Sequence, residues 1–226
     1  MLNKILHSFQ SYNKTNFIAG GLRPSRILAS AENTLVKSPK FQAPRKLDFR
    51  DMCIMTSDQA STPHCAGYST AGMIEVRNWR IKHYPEQVNG DAIYREAKKI
   101  DGDNNDGTSL DSAGQAAINL GLISGKLQFI NSDFDSIKYC IHTNLAFVAG
   151  FNITNEWNYT NKKTGQILDL GDKAVILGGH AILVCGYDEM GVYIQNSWGS
   201  DWGIYGFALI PWSKVSKQFM YGMVII

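Results

Sequence analysis

Apolar positions recur at helical spacing through the first half of the chain. From Cys65 to His83, Ala66, Tyr68, Ala71, Met73, Ile74, Val76, Trp79 and Ile81 mark a buried stripe and predict a helix. Ile93, Tyr94 and Ala97 share one face of a second helix over Gly90–Ile100. Asp101 to Thr108 is polar and glycine-bearing, hence a loop. A third helix runs from Ser109 or Asp111, either able to cap it, to Asn119 before Gly121. Later the pattern turns β-rich and Gly-bounded: Leu145–Ile153, Ala174–Leu177, His180–Tyr187, Val192–Asn196, Gly206–Ile210 and Val224–Ile226. Helices first and strands later predict an α+β protein. Its helical lobe covers about 50–140 and its β lobe about 141–226, with an active-site cleft between them. Lys46–Arg50 reads as an opening strand. Residues 1–42 lack periodicity apart from a short helix expected over Ser30–Lys37, and Gly20-Gly21 and Pro24 punctuate them. They read as an extension or pro-like segment ahead of a domain over 43–226.

Composition narrows the classes. With 226 residues, 44% hydrophobic and 19% charged, the chain fits a globular protein of one large domain or two lobes. Its apolar runs, such as Ala181–Cys185, are too short to span a bilayer, so no membrane partner is expected. The net charge of +2 conceals an asymmetry: +7 over residues 1–50 and −5 over the rest. A basic leader on an acidic body either docks on it or stays solvated. The basic residues are spread out, which argues against nucleic acid. His7, Ser8, Gln10 and Ser11 break the early apolar stretch, so no secretory signal is expected and a cytoplasmic location follows. The acid-free, Ser- and Arg-containing first 31 residues also suit a transit peptide. Cys53, Cys65, Cys140 and Cys185 show no CxxC spacing and read as mostly free thiols.

Three local patterns carry candidate chemistry. In Asp58 to Tyr68, Cys65 opens a helix behind a polar loop. A helix N-terminus favours a thiolate, although a lone Cys there is as readily a small buried residue. Gln59 lies six residues upstream, able to donate to a developing oxyanion beside the Cys65 backbone N–H. In Gly178 to Asp188, His180 opens an apolar strand behind two glycines. In Ile194 to Gly203, Asn196 closes a strand and precedes Trp198 and Trp202, residue types ordinarily found in turns and cores.

Together and in this order, Gln59…Cys65, Gly179-His180 and Asn196-Ser197-Trp198-Gly199-x-x-Trp202-Gly203 resemble the papain-like (cathepsin-type) cysteine peptidases. The resemblance covers roughly residues 44–212 and includes Leu47-Asp48-Phe49-Arg50, similar to that family's mature start. It implies a papain-like two-lobed fold, with a β lobe or barrel, and peptide-bond hydrolysis without metal or organic cofactor. Cys65 is then the nucleophile, His180 the base and acid, and Asn196 its orienter. Trp198 shields that pair, and Gln59 with the Cys65 N–H forms the oxyanion hole. By a looser likeness, Asp106, Gly107 and Gly179 line a substrate cleft that binds peptide or protein; the alternative for Asp106–Ser109 is a plain surface loop with a helix N-cap. The same fold also carries inactive, ligating, deamidating or modifier-removing proteins. Thr62 stands where many members have a disulfide cysteine, Pro63-His64 replaces Gly-Ser, and the aromatic falls at Tyr68. These departures suggest a compact, disulfide-free form nearer to bacterial or viral members. His64 either tunes the thiolate or points elsewhere. An endopeptidase held in check by its N-terminal segment, as in a zymogen, is the expected product.

Overall fold

The computed structural model describes residues 9–11, 20–25, 27, 32–53 and 56–226. Among the described residues, five helices and a seven-stranded antiparallel sheet make an α+β fold. The helices are α1 (Cys65–Lys82), α2 (Gly90–Asp101), α3 (Leu110–Asn119), α4 (Phe134–Asn144) and α5 (Trp212–Gln218). Local chemistry sets their starts. Asn89 caps α2 by accepting the Ala92 N–H, Ser109 caps α3 through Ser112, and Asp133 caps α4 through Ser136. Of the two candidates for the α3 cap, Ser109 takes the role. The stripe expected for α1 is buried from Cys65 through Val76 apart from the half-buried Tyr68, while Ile81 emerges to solvent.

The large sheet runs β3 (Leu127–Ile130), β9 (Phe219–Ile225), β4 (Phe147–Thr154), β6 (Ile176–Tyr187), β7 (Gly191–Gln195), β8 (Phe207–Pro211), with β2 (Leu47–Asp48) also paired to β6. A separate pair joins β1 (Phe9–Ser11) to β5 (Tyr159–Asn161). The strands expected over Ala174–Leu177 and His180–Tyr187 are one long strand, because β4 pairs with β6 from Phe147↔Val184 to Thr154↔Ile176 across the glycines. The helix expected over Ser30–Lys37 is absent from the part described. Residues 32–33 form a turn and Thr34 bridges Phe129, so pairing with β3 overrides local helix preference. Among the described residues no helix is long and apolar enough to cross a membrane.

The core sits between α1 and the sheet, with Phe147, Phe151, Trp157, Tyr187, Trp198 and Trp202 fully or almost fully buried. Beneath the β lobe, Glu156 and Lys214 form an ion pair of 2.7 Å, both side chains at most 5% exposed. Glu156 also accepts from Thr154 Oγ1 (2.7 Å) and from the Leu170 N–H (2.5 Å), so its carboxylate is well satisfied despite burial. Gln218 links this network to Trp157, donating to Glu156 Oε2 (3.3 Å) and accepting the Trp157 Nε1–H (3.0 Å).

Candidate active site

Cys65 is the first residue of α1, delivered by a tight turn. Asp58 Oδ1 accepts the Ala60 N–H at 2.8 Å, and Gln59 O accepts from the Thr62 N–H at 3.2 Å and Oγ1 at 2.5 Å. The Cys65 side chain is fully buried, and the backbone N–H groups of Ala181, Ala66 and Cys65 itself lie near enough to favour its thiolate. Ala181 directly follows His180 on the same strand, so the sulfur faces that strand. His64 turns to α2 instead: Nδ1 lies 2.7 Å from Asp91 Oδ1, and the ring stacks on Tyr94 at 3.8 Å.

His180, on β6, is paired in register with Phe151 of β4 and is fully buried. Its Nε2 lies 2.8 Å from Asn196 Oδ1, which also accepts the Ser197 N–H at 2.8 Å. An amide oxygen accepts only, so Nε2 carries the proton. In the neutral ring the lone pair is then on Nδ1, which is buried and has no hydrogen-bond partner. A buried, unpaired basic nitrogen is costly to keep and marks the atom that a reacting group must meet. Trp198 lies over the ring with centroids 4.8 Å apart, and Trp157 meets it edge-on at 6.5 Å. Both indoles pack against the ring that makes the His180–Asn196 bond. Trp202 braces them, stacking on Trp157 and donating Nε1–H to the Trp157 carbonyl at 2.9 Å.

Burial sets the charge state. It pushes the Cys65 thiol up to about 11, against the pull of the three backbone N–H groups, and the His180 imidazole down to about 4, against the Asn196 bond. The pair as folded here is therefore a neutral thiol and a neutral imidazole at pH 7.

Gln59 belongs to the same centre. Its N–H donates to Ser197 O (2.8 Å), its Oε1 accepts from Ser197 Oγ (2.6 Å), and its Nε2 donates to Thr62 O (2.7 Å). Nε2 keeps a second hydrogen beyond that bond. The Asp58–Trp198 bridge and the Gly199 N–H to Ser57 O bond clamp this loop to the Asn196–Gly199 turn.

Residues 20–25 lie across this centre. Gly179 O accepts the N–H groups of Gly20 (3.0 Å) and Leu22 (3.3 Å). On the other wall, the Arg23 N–H donates to Thr108 O and the Thr108 N–H to Gly21 O, both at 3.0 Å, a parallel bridge. Thr108, rather than Gly107, therefore supplies the peptide-pairing groups on that wall. At φ +78° Gly107 gives its N–H to Tyr94 Oη (3.1 Å) and its carbonyl to Lys98, so it contributes closeness instead: a Cβ there would lie 2.4 Å from Gly21 O. Gly179 plays both parts, since a Cβ on it would lie 2.8 Å from Leu22 O. The Asp106 carbonyl accepts Arg23 Nε at 2.9 Å.

Sequence reasoning missed Trp157, Ser197, Leu22 and Arg23. Trp157 has no motif around it, and it adjoins the buried Glu156–Lys214 pair. The Gly20-Gly21-Leu22 run was a usable signal, since a glycine pair followed by an apolar side chain suits a chain pressed into a groove.

No family model and no curated protein matches the sequence. Solved structures do. The cysteine protease xylellain from Xylella fastidiosa superposes with a TM-score of 0.77 at 20% identity, over 96% of this chain and 97% of that one. Procathepsin B S9 from Trypanosoma congolense gives 0.73 at 15% identity, over 99% and 95%. Digestive procathepsin L2 from Tenebrio molitor gives 0.74 at 14% identity, over 99% and 86%. The chain has the two-lobed fold of papain-like cysteine proteases.

Proposed function

We propose that the chain is a cysteine endopeptidase whose own residues 20–25 occupy its cleft. The observation that carries this reading is the His180 imidazole, tied through Nε2 to Asn196 and left with a buried, unpartnered Nδ1 on the strand whose Ala181 N–H acts on the Cys65 thiol. In the reaction, the Cys65 sulfur attacks the peptide carbonyl carbon while its proton passes to His180 Nδ1. The Cys65 N–H and the spare Gln59 Nε2–H receive the oxyanion. His180 then protonates the departing amine, the C–N bond breaks and a thioester remains. Water attacks it, giving its proton to His180, and the acid and free thiol are released. The Trp198 and Trp157 faces keep this exchange dry.

A continuous chain already threads the cleft past Gly179 and Thr108, which supports cleavage within a chain rather than at an end. The basic leader, the covered Cys65 and His180, and the presence of proforms among the similar structures support a restrained enzyme. Free Cys53, Cys65, Cys140 and Cys185 and the likeness to a bacterial protease support a compact, disulfide-free form suited to a reducing cytoplasm. The test is cleavage of a quenched peptide library by the full chain and by the Leu22→Ser/Arg23→Gln variant, each beside its Cys65→Ala counterpart. Cleavage that disappears with Cys65 supports the reading. Absence of cleavage in the opened variant ends it.

A further inference from the structure

The Arg23 side chain is held more completely than a strap needs. Its Nη1 and Nη2 fork onto the two Asp103 carboxylate oxygens at 2.8 and 3.0 Å. Nη2 also donates to Asn105 O at 2.6 Å and Nε to Asp106 O at 2.9 Å, while Asp101 lies 3.9 Å away. Both carboxylate oxygens and two carbonyls thus converge on one planar cation, in the bidentate geometry that suits guanidinium and not ammonium.

The cradle is organised by contacts other than Arg23. Lys98 Nζ bonds Asp103 (2.9 Å), Asp101 (3.2 Å) and Gly107 O (3.2 Å). The Asn105 N–H donates to Asp103 at 3.0 Å, and Ser112 Oγ donates to the buried Asp101 at 2.8 Å. Lys98 alone leaves the two carboxylates with a net charge of −1, so an empty cradle attracts a second cation. Arg23, and then Lys98, hold the Asp103 carboxyl well below the usual carboxylate range.

The cradle also lies at a defined step along the cleft. Outward from Cys65, Gly20 and Gly21 pass Gly179 and Pro63. Leu22 is buried (5% exposed) against Gly150, where a Cβ would come within 2.5 Å of its Cδ2. Arg23 follows, its carbonyl fixed by Tyr221 Oη at 2.8 Å. A peptide that runs in the same direction as Gly20–Arg23, parallel to Thr108, and sets an apolar residue in the Leu22 pocket brings its next outward side chain to the cradle.

We infer that the Asp103–Asp106 turn is a specificity subsite of the cleft for an arginine side chain, one step outward from an apolar residue of the bound peptide. The inference rests on the peptidase reading for its substrate, though not for the binding itself. Asp103 is 35% exposed, so solvent screening limits the discrimination to about tenfold.

The test uses the full chain carrying Cys65→Ser, Leu22→Ser and Arg23→Gln, and a labelled peptide Gly-Gly-Leu-Arg-Pro-Ser with versions bearing Lys or Gln for Arg. The Arg peptide should bind about tenfold more tightly than the Gln peptide, with Lys between them. Adding Asp103→Asn should bring the ratio to about one. Equal binding of Arg and Gln peptides, a ratio unmoved by Asp103→Asn, or no binding of any peptide overturns the inference. With Cys65 restored, scanning a single arginine through quenched peptides separates the two readings. Arg-dependent binding without cleavage ends the peptidase reading and leaves the subsite. Cleavage indifferent to arginine at every position ends the subsite and leaves the peptidase.

Discussion

His180 Nε2 and Asn196 Oδ1 stand 2.8 Å apart beneath the Trp198 indole, and that contact decides which imidazole nitrogen is free to take a proton. Replacing Asn196 by Ala releases the ring and its tautomer together. The buried hydrogen bond to a ring that becomes charged during turnover is worth about 1.5–3 kcal/mol, so kcat should fall about 10- to 150-fold. Steady-state assays on a folded Asn196→Ala protein check this, and an unchanged kcat contradicts the assigned orientation.

The Arg23 fork and the Leu22 anchor should together keep reagents from Cys65. In the full chain, Leu22→Ser/Arg23→Gln should raise the second-order rate of Cys65 alkylation at least tenfold over the parent. Gly21→Val reaches the same end by another route, because a Cβ at that position meets Pro63 O at 2.7 Å. Intact-mass time courses give the rates. Equal rates in all three proteins mean that residues 20–25 do not guard the thiol.

Burial of His180 makes folding pH-dependent with a definite sign. Its folded value of about 4 lies below the ordinary 6.5, so between those values the unfolded chain binds a proton that the folded chain refuses. This contribution leaves stability intact above pH 6.5, erodes it as pH falls, and is fully lost below about 4, on the order of 3 kcal/mol in all. Glu75, whose carboxyl burial raises, pulls the other way but does so in any His180 variant as well. Urea unfolding of the parent and of His180→Gln, compared from pH 7 to 4, should show the variant gaining relative stability as pH falls. A constant difference contradicts the burial of this ring.

Glu156 is fully buried against Lys214, and removing one partner strands the other charge. Glu156→Ala should lower the unfolding free energy by about 3–5 kcal/mol, partly softened because Asp169 lies 3.4 Å from the same ammonium. A loss below 1 kcal/mol in denaturant titration shows that the network does not anchor the Trp157 turn.

The parts of the fold legible in the sequence were those with an unmixed period. The α1 and α2 stripes and the apolar strands β4, β7 and β8 announce themselves because one face or both faces are buried. The α4 helix went unread although Asp133, Ile137, Cys140 and Ile141 supply a cap and a buried stripe, and β3 is too short to show alternation. Gly178-Gly179 looked like a break in β6, yet pairing with β4 carries the strand through. Cys65, His180, Asn196, Gln59 and Trp198 could be picked out because each sits in a motif, and the structure brings them together. Which residues pair with a peptide was less legible: Gly107 was the visible candidate, but its N–H goes to Tyr94 and Thr108 takes the pairing. The Arg23 cradle was not legible, since it joins residues 80 positions apart through a segment without periodicity.

On the proposed function, Cys65 is a thiol activated by position rather than by exposure. Cys53 is the partly exposed cysteine, whereas Cys65, Cys140 and Cys185 are buried. Reaction of the Leu22→Ser/Arg23→Gln chain with a peptidyl epoxide, followed by peptide mapping, ranks the four directly. A single adduct on Cys65 that vanishes in the His180→Ala background is expected. An adduct on Cys53 with none on Cys65, or labelling of Cys65 indifferent to His180, contradicts it.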